Sequence, residues 1–407
     1  MTDDIAARRL LTGQAWDDFC ETVRLTGHEI ERWGDVPDDL DRVEWYRHLS
    51  RMLRNGLERF VENSEPDHPR LRDTPFRCSI NAQNPDQDHL LSEWYEPGYS
   101  YRVWGNRGTL PYFVMAAWKA DQDRTVGAQD WADKGADSVK QFDPAMLTTT
   151  DFLQSDAIRF DAEGNFEVIC SPERPADGRD WLKIGGDTVG LLIRLVHHDR
   201  DAEVPATFHI ERLDQPKQRP VKPEELATNL ARAAQMVRGY AELERTWWFD
   251  NLATRANQLQ FSRKVYLSNG GVADRHHAFG MWDKPRDKAL VFHFATPPAE
   301  YWIFQLLNIF QENLDTYEHK GGYISGVMAR HEADGTVRVV IAEEDPGGGG
   351  NWIDSFGHVH GIMSLRFIKC EDPPEVASYL VPLADLRAKG WAALTDDLAI
   401  RSGQLVE

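Results

Sequence analysis

No apolar run in this 407-residue chain approaches the roughly 20 residues needed to span a bilayer, so no transmembrane helix is expected. Cysteine is scarce. Cys20, Cys78, Cys170 and Cys370 stand far apart with no CxxC pair, which argues for reduced, structural thiols and a cytoplasmic setting. The opening, Met1-Thr2-Asp3-Asp4 ahead of Arg8-Arg9, lacks the basic start and apolar stretch of a secretory signal. Positive charge is in deficit: 46 Lys and Arg against 66 Asp and Glu give a formal net charge of −20. Such a surface repels phosphate backbones and anionic lipid, so neither nucleic acid nor a membrane is an expected partner. Also missing are GxGxxG after a strand, GxxxxGK(S/T), HExxH and a GxSxG elbow. These absences remove the common nucleotide, zinc-protease and serine-hydrolase signatures.

What is present is aromatic and β-like. Fourteen Trp is a high count, and large aromatics serve both cores and ligand pockets. Residues 1–70 read as helical, because Trp45, Leu49, Met52, Leu53, Leu57, Phe60 and Val61 form one stripe at helical spacing. Residues 71–215 read as a first β-rich domain. In it Tyr101–Trp104, the turn Gly105-Asn-Arg-Gly108, and Tyr112–Trp118 suggest strand, tight turn, strand. His197-His198, followed by Asp199-Arg200-Asp201, reads as a solvated strand end. Residues 216–258 are a helical connector, 259–385 a second β-rich domain, and 386–407 a helical tail.

The two β-rich domains repeat one pattern. Gly164, Phe166-Glu-Val-Ile169, Pro175 and Asp180-Trp181 match Gly335, Val337-Arg-Val-Val340, Pro346 and Asn351-Trp352. Gly to Pro is 11 residues and Gly to Trp 17 in both copies. Gly190 and Gly361 follow at equal distance, then Arg194 and Arg366, one residue out of step. The fold expected is mainly β with helical additions (α+β): two related β-sandwich or jelly-roll-like domains joined by helices.

The second copy, with Pro298-Ala-Glu-Tyr-Trp302, Asp334-Gly335, Val339–Ala342, Asp345-Pro-Gly347, Asn351-Trp-Ile-Asp354, Gly357-His358, Gly361 and Arg366, resembles the bacterial domain of unknown function 1214. Asn84-Pro-Asp86, Tyr101-Arg102 and Gly105–Gly108 are similar to its frequent neighbour, domain of unknown function 1254. The resemblance implies paired β-rich domains and no settled reaction. The chain departs from that pattern by Gly347–Gly350, a run that lacks the Lys-Ser/Thr of a phosphate loop and reads as a flexible turn.

The richest chemical cluster is Asn351, Trp352, Asp354, His358, His360 and Arg366. His358 is the expected proton-transfer residue and Asp354 its orienter. Asn351, Trp352, Arg366 and His360 are the expected substrate contacts, with Asn84, Asp86 and Arg102 as a second polar group. The first copy has Asp180, Trp181 and Arg194, so Asn351, Trp352 and Arg366 have an architectural reading too. His358 and Asp354 lack counterparts. No cofactor is expected. Zinc or another metal is the alternative if His358 and His360 share a strand face, with His276, His277 or His293 as further ligands. The expected function is a cofactor-independent enzyme of hydrolase, lyase or isomerase type, working by acid–base chemistry on a small ring-containing or hydroxylated substrate. A non-catalytic carbohydrate- or hydrophobic-ligand-binding protein is the alternative, and an assembly module the third reading. The expected partner is a small-molecule ligand, and a homo-oligomer is left open.

Overall fold

Asp38 starts the longest N-terminal helix by a reciprocal cap. Its Oδ1 accepts from the N–H of Leu40 and Asp41 at 2.8 and 3.0 Å, and Asp41 returns a carboxylate to the N–H of Asp38. The computed structural model describes residues 2–406 apart from 64, 66, 75–84, 94–97, 121–146, 218, 250–252, 254, 269–270, 273–274, 315–320 and 404. The helices of the N-terminal segment are α1 (Thr2–Leu11), α2 (Gln14–Thr26) and α3 (Asp39–Leu57). The predicted stripe faces inward: Trp45, Met52 and Phe60 are buried. None of the described helices is long and apolar enough to cross a membrane.

The chain divides into two compact units, Met1–Cys78 with Asp86–Leu243, and Ser79–Pro85 with Glu244–Glu407. The strands of the first are β1 (Arg72–Thr74), β2 (Gln87–Glu93), β3 (Tyr101–Asn106), β4 (Tyr112–Ala120), β5 (Leu147–Gln154), β6 (Asn165–Ser171), β7 (Asp180–Lys183), β8 (Gly190–Val196) and β9 (Thr207–Arg212). They form two sheets, ordered β1-β2-β8-β4-β5 and β7-β6-β3-β9. Alternate residues of both sheets, among them Val103, Phe113, Met115, Phe166, Val168 and Ile193, share one core. The expected strand, turn and strand are all present as β3, the Gly105–Gly108 turn and β4. β3 and β4 lie in different sheets, so the Gly105–Gly108 turn carries the chain across the sandwich. A Cβ on Gly108 would sit 2.2 Å from the Val204 carbonyl, and its φ is +56°. That close approach under the β8–β9 connector is what the glycine permits.

Helix α4 (Pro223–Trp247) leads to the second unit. There follow β10 (Gln260–Ser262), α5 (Arg263–Ser268), β11 (Arg275–Asp283), β12 (Lys288–Ala295), β13 (Tyr301–Leu307), β14 (Tyr323–Ser325), β15 (Thr336–Ala342), β16 (Asn351–Asp354), β17 (His360–Ile368), β18 (Val376–Pro382) and α6 (Leu383–Lys389), with β19 (Ile400–Ser402) and β20 (Leu405–Val406) last. The sheets run β14-β13-β17-β11-β10-β20 and β16-β15-β12-β18-β19. Phe292, Phe304, Val337, Val339, Ile353, Leu365 and Phe367 meet in the core. Val340 and Ala342 face the other way, under Leu386, Trp352 and Trp391. Cover on both faces explains the unbroken apolar run of β15. The tail beyond 386 is not simply helical: β19 pairs with β18 and β20 with β10. Strands of two or three residues are too short to show period-two patterning.

The duplication is a duplication of topology. The orders β2-β8-β4-β5 and β7-β6-β3-β9 become β11-β17-β13-β14 and β16-β15-β12-β18 when each label advances by nine. Both copies contain one parallel pair in the same register, Val168 opposite Asp180 and Val339 opposite Asn351. The fold class is therefore α+β, dominated by two related sandwiches.

Candidate functional site

The repeat separates architecture from specialisation. Trp181 Nε1 donates to the Ser171 carbonyl and Trp352 Nε1 to the Ala342 carbonyl, each at 3.0 Å and each to the last residue of the neighbouring strand. The Asp180 carboxylate accepts from the Arg159 N–H at 2.8 Å, and Asn351 Oδ1 accepts from the Arg330 N–H at 2.7 Å. Asn351 Nδ2 also donates to the carbonyls of Arg330 and Arg338, both at 2.9 Å. Asn351 and Trp352 thus spend their polar atoms pinning a strand and a connector, as their counterparts do.

Arg366 also has a twin. Arg194 lies opposite His89 on β2, and Arg366 opposite His277 on β11. Both arginines sit between two core residues, so both point away from the core. The one-residue offset is real, and it arises at the glycines: Gly361 lies beneath the core residue Trp282, whereas Gly190 lies beneath Trp118 on the outer face. Arg366 Nε donates to His277 Nε2 at 2.9 Å, and Ser364 Oγ lies 2.7 Å from the same nitrogen. Burial, then the Arg366 charge, hold His277 well below the ordinary imidazole range, so it is neutral.

The remaining expected contacts disperse. Arg102 is on the solvent face of the β7-β6-β3-β9 sheet, pairing with Glu167 and Glu211 and stacking 4.6 Å from the Trp104 ring. Asp86 is buried at the entrance to β2, in the other sheet, and its carbonyl accepts from the His197 N–H at 2.9 Å. The two therefore do not form one cluster, and Asn84 lies outside the described residues. Of the histidines offered as metal ligands, His276 and His277 point to opposite faces of β11. His276 bonds the Glu371 carbonyl, and His293 on β12 bonds Thr336 Oγ1 at 2.8 Å. They do not converge on His358.

The turn joining β16 to β17 is where the copies diverge. Phe356 and Gly357 both have positive φ, 47° and 79°, and His358 N–H returns to the Ser355 carbonyl at 2.9 Å. That is the type I′ pattern, with a bulky residue where glycine or asparagine is usual. His358 is buried within the turn, and β17 starts only at His360, so the two imidazoles do not share a strand face. His360 instead lies edge-on to Trp248 at 6.1 Å. The Asp354 carboxylate caps the Phe356 N–H at 2.7 Å and does not orient the imidazole. That role falls to the Ser355 carbonyl, 3.1 Å from His358 Nδ1. A carbonyl only accepts, so Nδ1 carries the hydrogen in this contact.

Two further side chains belong here. Ser355 N–H bonds the Ala342 carbonyl at 3.3 Å, as Ile184 N–H bonds Ser171 at 3.2 Å, so Ser355 occupies the position of Ile184. Ile184 is a core residue, 2% exposed. Ser355 is 0% exposed, and its Oγ has no hydrogen-bond partner among the described residues. Lys284, next after β11, is also 0% exposed, and its Nζ likewise has no partner among them. Its N–H donates to the Val359 carbonyl at 2.8 Å, which fixes it against the same turn. Burial depresses its amine below the usual lysine range; Arg286 reinforces this, while Glu343 and Asp354 oppose it. Ser355 was findable by carrying the repeat three residues past each Trp. Lys284 gave no signal, because a lysine between Asp283 and Pro285 reads as a solvated hairpin.

A solved structure of an uncharacterized protein from Burkholderia cenocepacia is similar throughout. The TM-score is 0.83 at 31% identity, over 93% of this chain and 100% of that one. The chain belongs to that protein's family. The VPA0106 protein of Vibrio parahaemolyticus aligns over 87% of this chain and 95% of its own, at 12% identity and a TM-score of 0.44. No family model matches the chain, and no curated protein does.

Proposed function

We propose that the chain is a cofactor-independent acid–base enzyme of hydrolase, lyase or isomerase type, acting in the cytoplasm on a small ring-containing or hydroxylated substrate, with its site at the β16–β17 turn. The reading rests on one observation: a core isoleucine of the first sandwich, Ile184, is replaced in the second by a buried serine, Ser355, whose hydroxyl has no partner among the described residues, beside a buried histidine. A buried hydroxyl without a partner costs about 1–3 kcal/mol, and such costs collect where function requires them. His358, with Nδ1 held by the Ser355 carbonyl, is oriented to move a proton through Nε2. The residues resembling domain of unknown function 1214, Asn351 to Arg366, are those that build β16, this turn and β17, and membership of that group is part of the same proposal. The binding-protein alternative needs Trp352 as a platform. Its indole is packed with Trp391 and Leu386, and its N–H is committed to Ala342.

The test compares His358→Ala and Ser355→Ala with the parent, for melting temperature and for ligand-induced shifts with aromatic acids, sugars and organic sulfates. Ser355→Ala is expected to raise stability by about 1 kcal/mol, a gain of roughly 2–4 °C in Tm. Both variants are expected to lose whichever shift the parent shows. If Ser355→Ala lowers the Tm and every ligand shift survives both substitutions, the turn is structural and the proposal is wrong.

A further inference from the structure

We propose that Lys284 is a nucleophilic amine that forms an imine with a carbonyl compound, an aldehyde or ketone carried on a small ring-containing molecule. The inference deepens the reading above and rests on it for the location of the site. A lysine ammonium offers three donors and is strongly hydrated. Fully buried and with no hydrogen-bond acceptor among the described residues, Nζ has no direct bond to stabilise its third proton, and the Glu343 and Asp354 charges favour that proton less than burial disfavours it. Burial, the largest influence on it, depresses its pKa accordingly. Lowering an amine's pKa by desolvation raises the share of the neutral form, which is the form that attacks in a Schiff-base lysine. The flanking residues Asp283, Pro285, Arg286 and Asp287 are all exposed. They form the connector between β11 and β12, strands of different sheets, where Arg286 pairs with Glu343 at 58% and 30% side-chain exposure.

The reaction balances without a cofactor. The Nζ lone pair attacks the carbonyl carbon, a C–N bond forms, and the C=O π pair moves to oxygen. The oxygen takes a proton as the nitrogen gives one up, leaving a carbinolamine. The hydroxyl then departs with a second proton as water while the nitrogen lone pair forms C=N. The proposal assigns the carrying of these protons to His358 and Ser355, the buried histidine and serine of the adjoining turn. No electron is gained or lost.

The experiment uses the full chain at pH 7 with 4-hydroxybenzaldehyde and cyanoborohydride, which reduces an imine to a stable secondary amine. Peptide mass spectrometry then locates the adduct. The expected result is modification at Lys284 at least tenfold above that at the exposed, ion-paired Lys222 and Lys389. Lys284→Met, close in length and apolar, is expected to abolish that adduct and to melt no lower than the parent. Modification of Lys284 only after unfolding in guanidinium, or only at the level of Lys222, overturns the proposal. Failure here and failure of the acid–base reading are distinguishable. The first appears as a silent Lys284 with His358-dependent ligand shifts intact. The second appears as shifts that survive His358→Ala, whatever Lys284 does.

Discussion

An Asp88→Ala protein is expected to lose about 1–3 kcal/mol of stability in the first unit, the cost of removing the shared acceptor from a partly buried ionic network in which Asp88 is 25% and Arg200 17% exposed at the side chain. His197 is 7% exposed. Its Nε2 lies 3.0 Å from Asp88 and its Nδ1 2.6 Å from Glu203. Arg200 grips the same aspartate with two N–H groups, at 2.7 and 3.0 Å. Glu203 also accepts from the N–H groups of His198 and Asp199. Alanine at 88 removes the carboxylate that His197 Nε2 and Arg200 share, and partial burial prevents water from replacing it fully.

The pH dependence follows from the same geometry. Burial alone would raise the Asp88 carboxyl, but hydrogen bonds from His197 and Arg200 outweigh it and hold the group far below the usual range. Glu203 is lowered in the same way, by the Asp199 N–H and His197 against burial. A depressed folded pKa stabilises above the unfolded value and is lost as pH falls through the folded one. Both contributions are therefore present above about pH 5 and fade below the unfolded values of about 3.9 and 4.3. Asp73, raised by burial and then by the Asp88 charge, opposes them in the same range. Urea midpoints between pH 7 and 3 should fall steeply for the parent and less so for Asp88→Asn. Equal slopes would show that the network contributes no net stability.

This network marks the limit of what the sequence makes legible. His197-His198 next to Asp199, Arg200 and Asp201 reads as a solvated strand end, because local composition is all that the chain order displays there. The deciding partner, Asp88, comes from β2, more than a hundred positions earlier, and reaches His197 only because β2 pairs with β8. The repeat was legible for the opposite reason. Its Gly, Pro and Trp positions are fixed by turn geometry and by one indole-to-carbonyl bond, and those constraints act over short stretches. The candidate site lies between these cases. His358 could be named from sequence as a residue with no twin, but its orienting group is a backbone carbonyl, which no side-chain pattern encodes.

Trp282 carries the second large expectation. It is 0% exposed, packed with Phe292, Phe304 and Met363, and its Nε1 lies 3.4 Å from the Leu307 carbonyl. Trp282→Ala should cost about 3–5 kcal/mol, a fall of roughly 6–20 °C in Tm for a unit of this size. The indole lies over Gly361, where a Cβ would come within 2.7 Å of Nε1 and 2.2 Å of the Leu307 carbonyl oxygen. Gly361→Ala therefore clashes with two partners, one a side chain and one backbone. Removing the indole relieves only the first. The double variant should melt below either single one, yet by less than the sum of their separate losses, because the two substitutions share one contact. Full rescue of Gly361→Ala by Trp282→Ala would show that the β13 carbonyl yields freely and that the indole alone demands glycine. Strict additivity would show that the two residues do not meet.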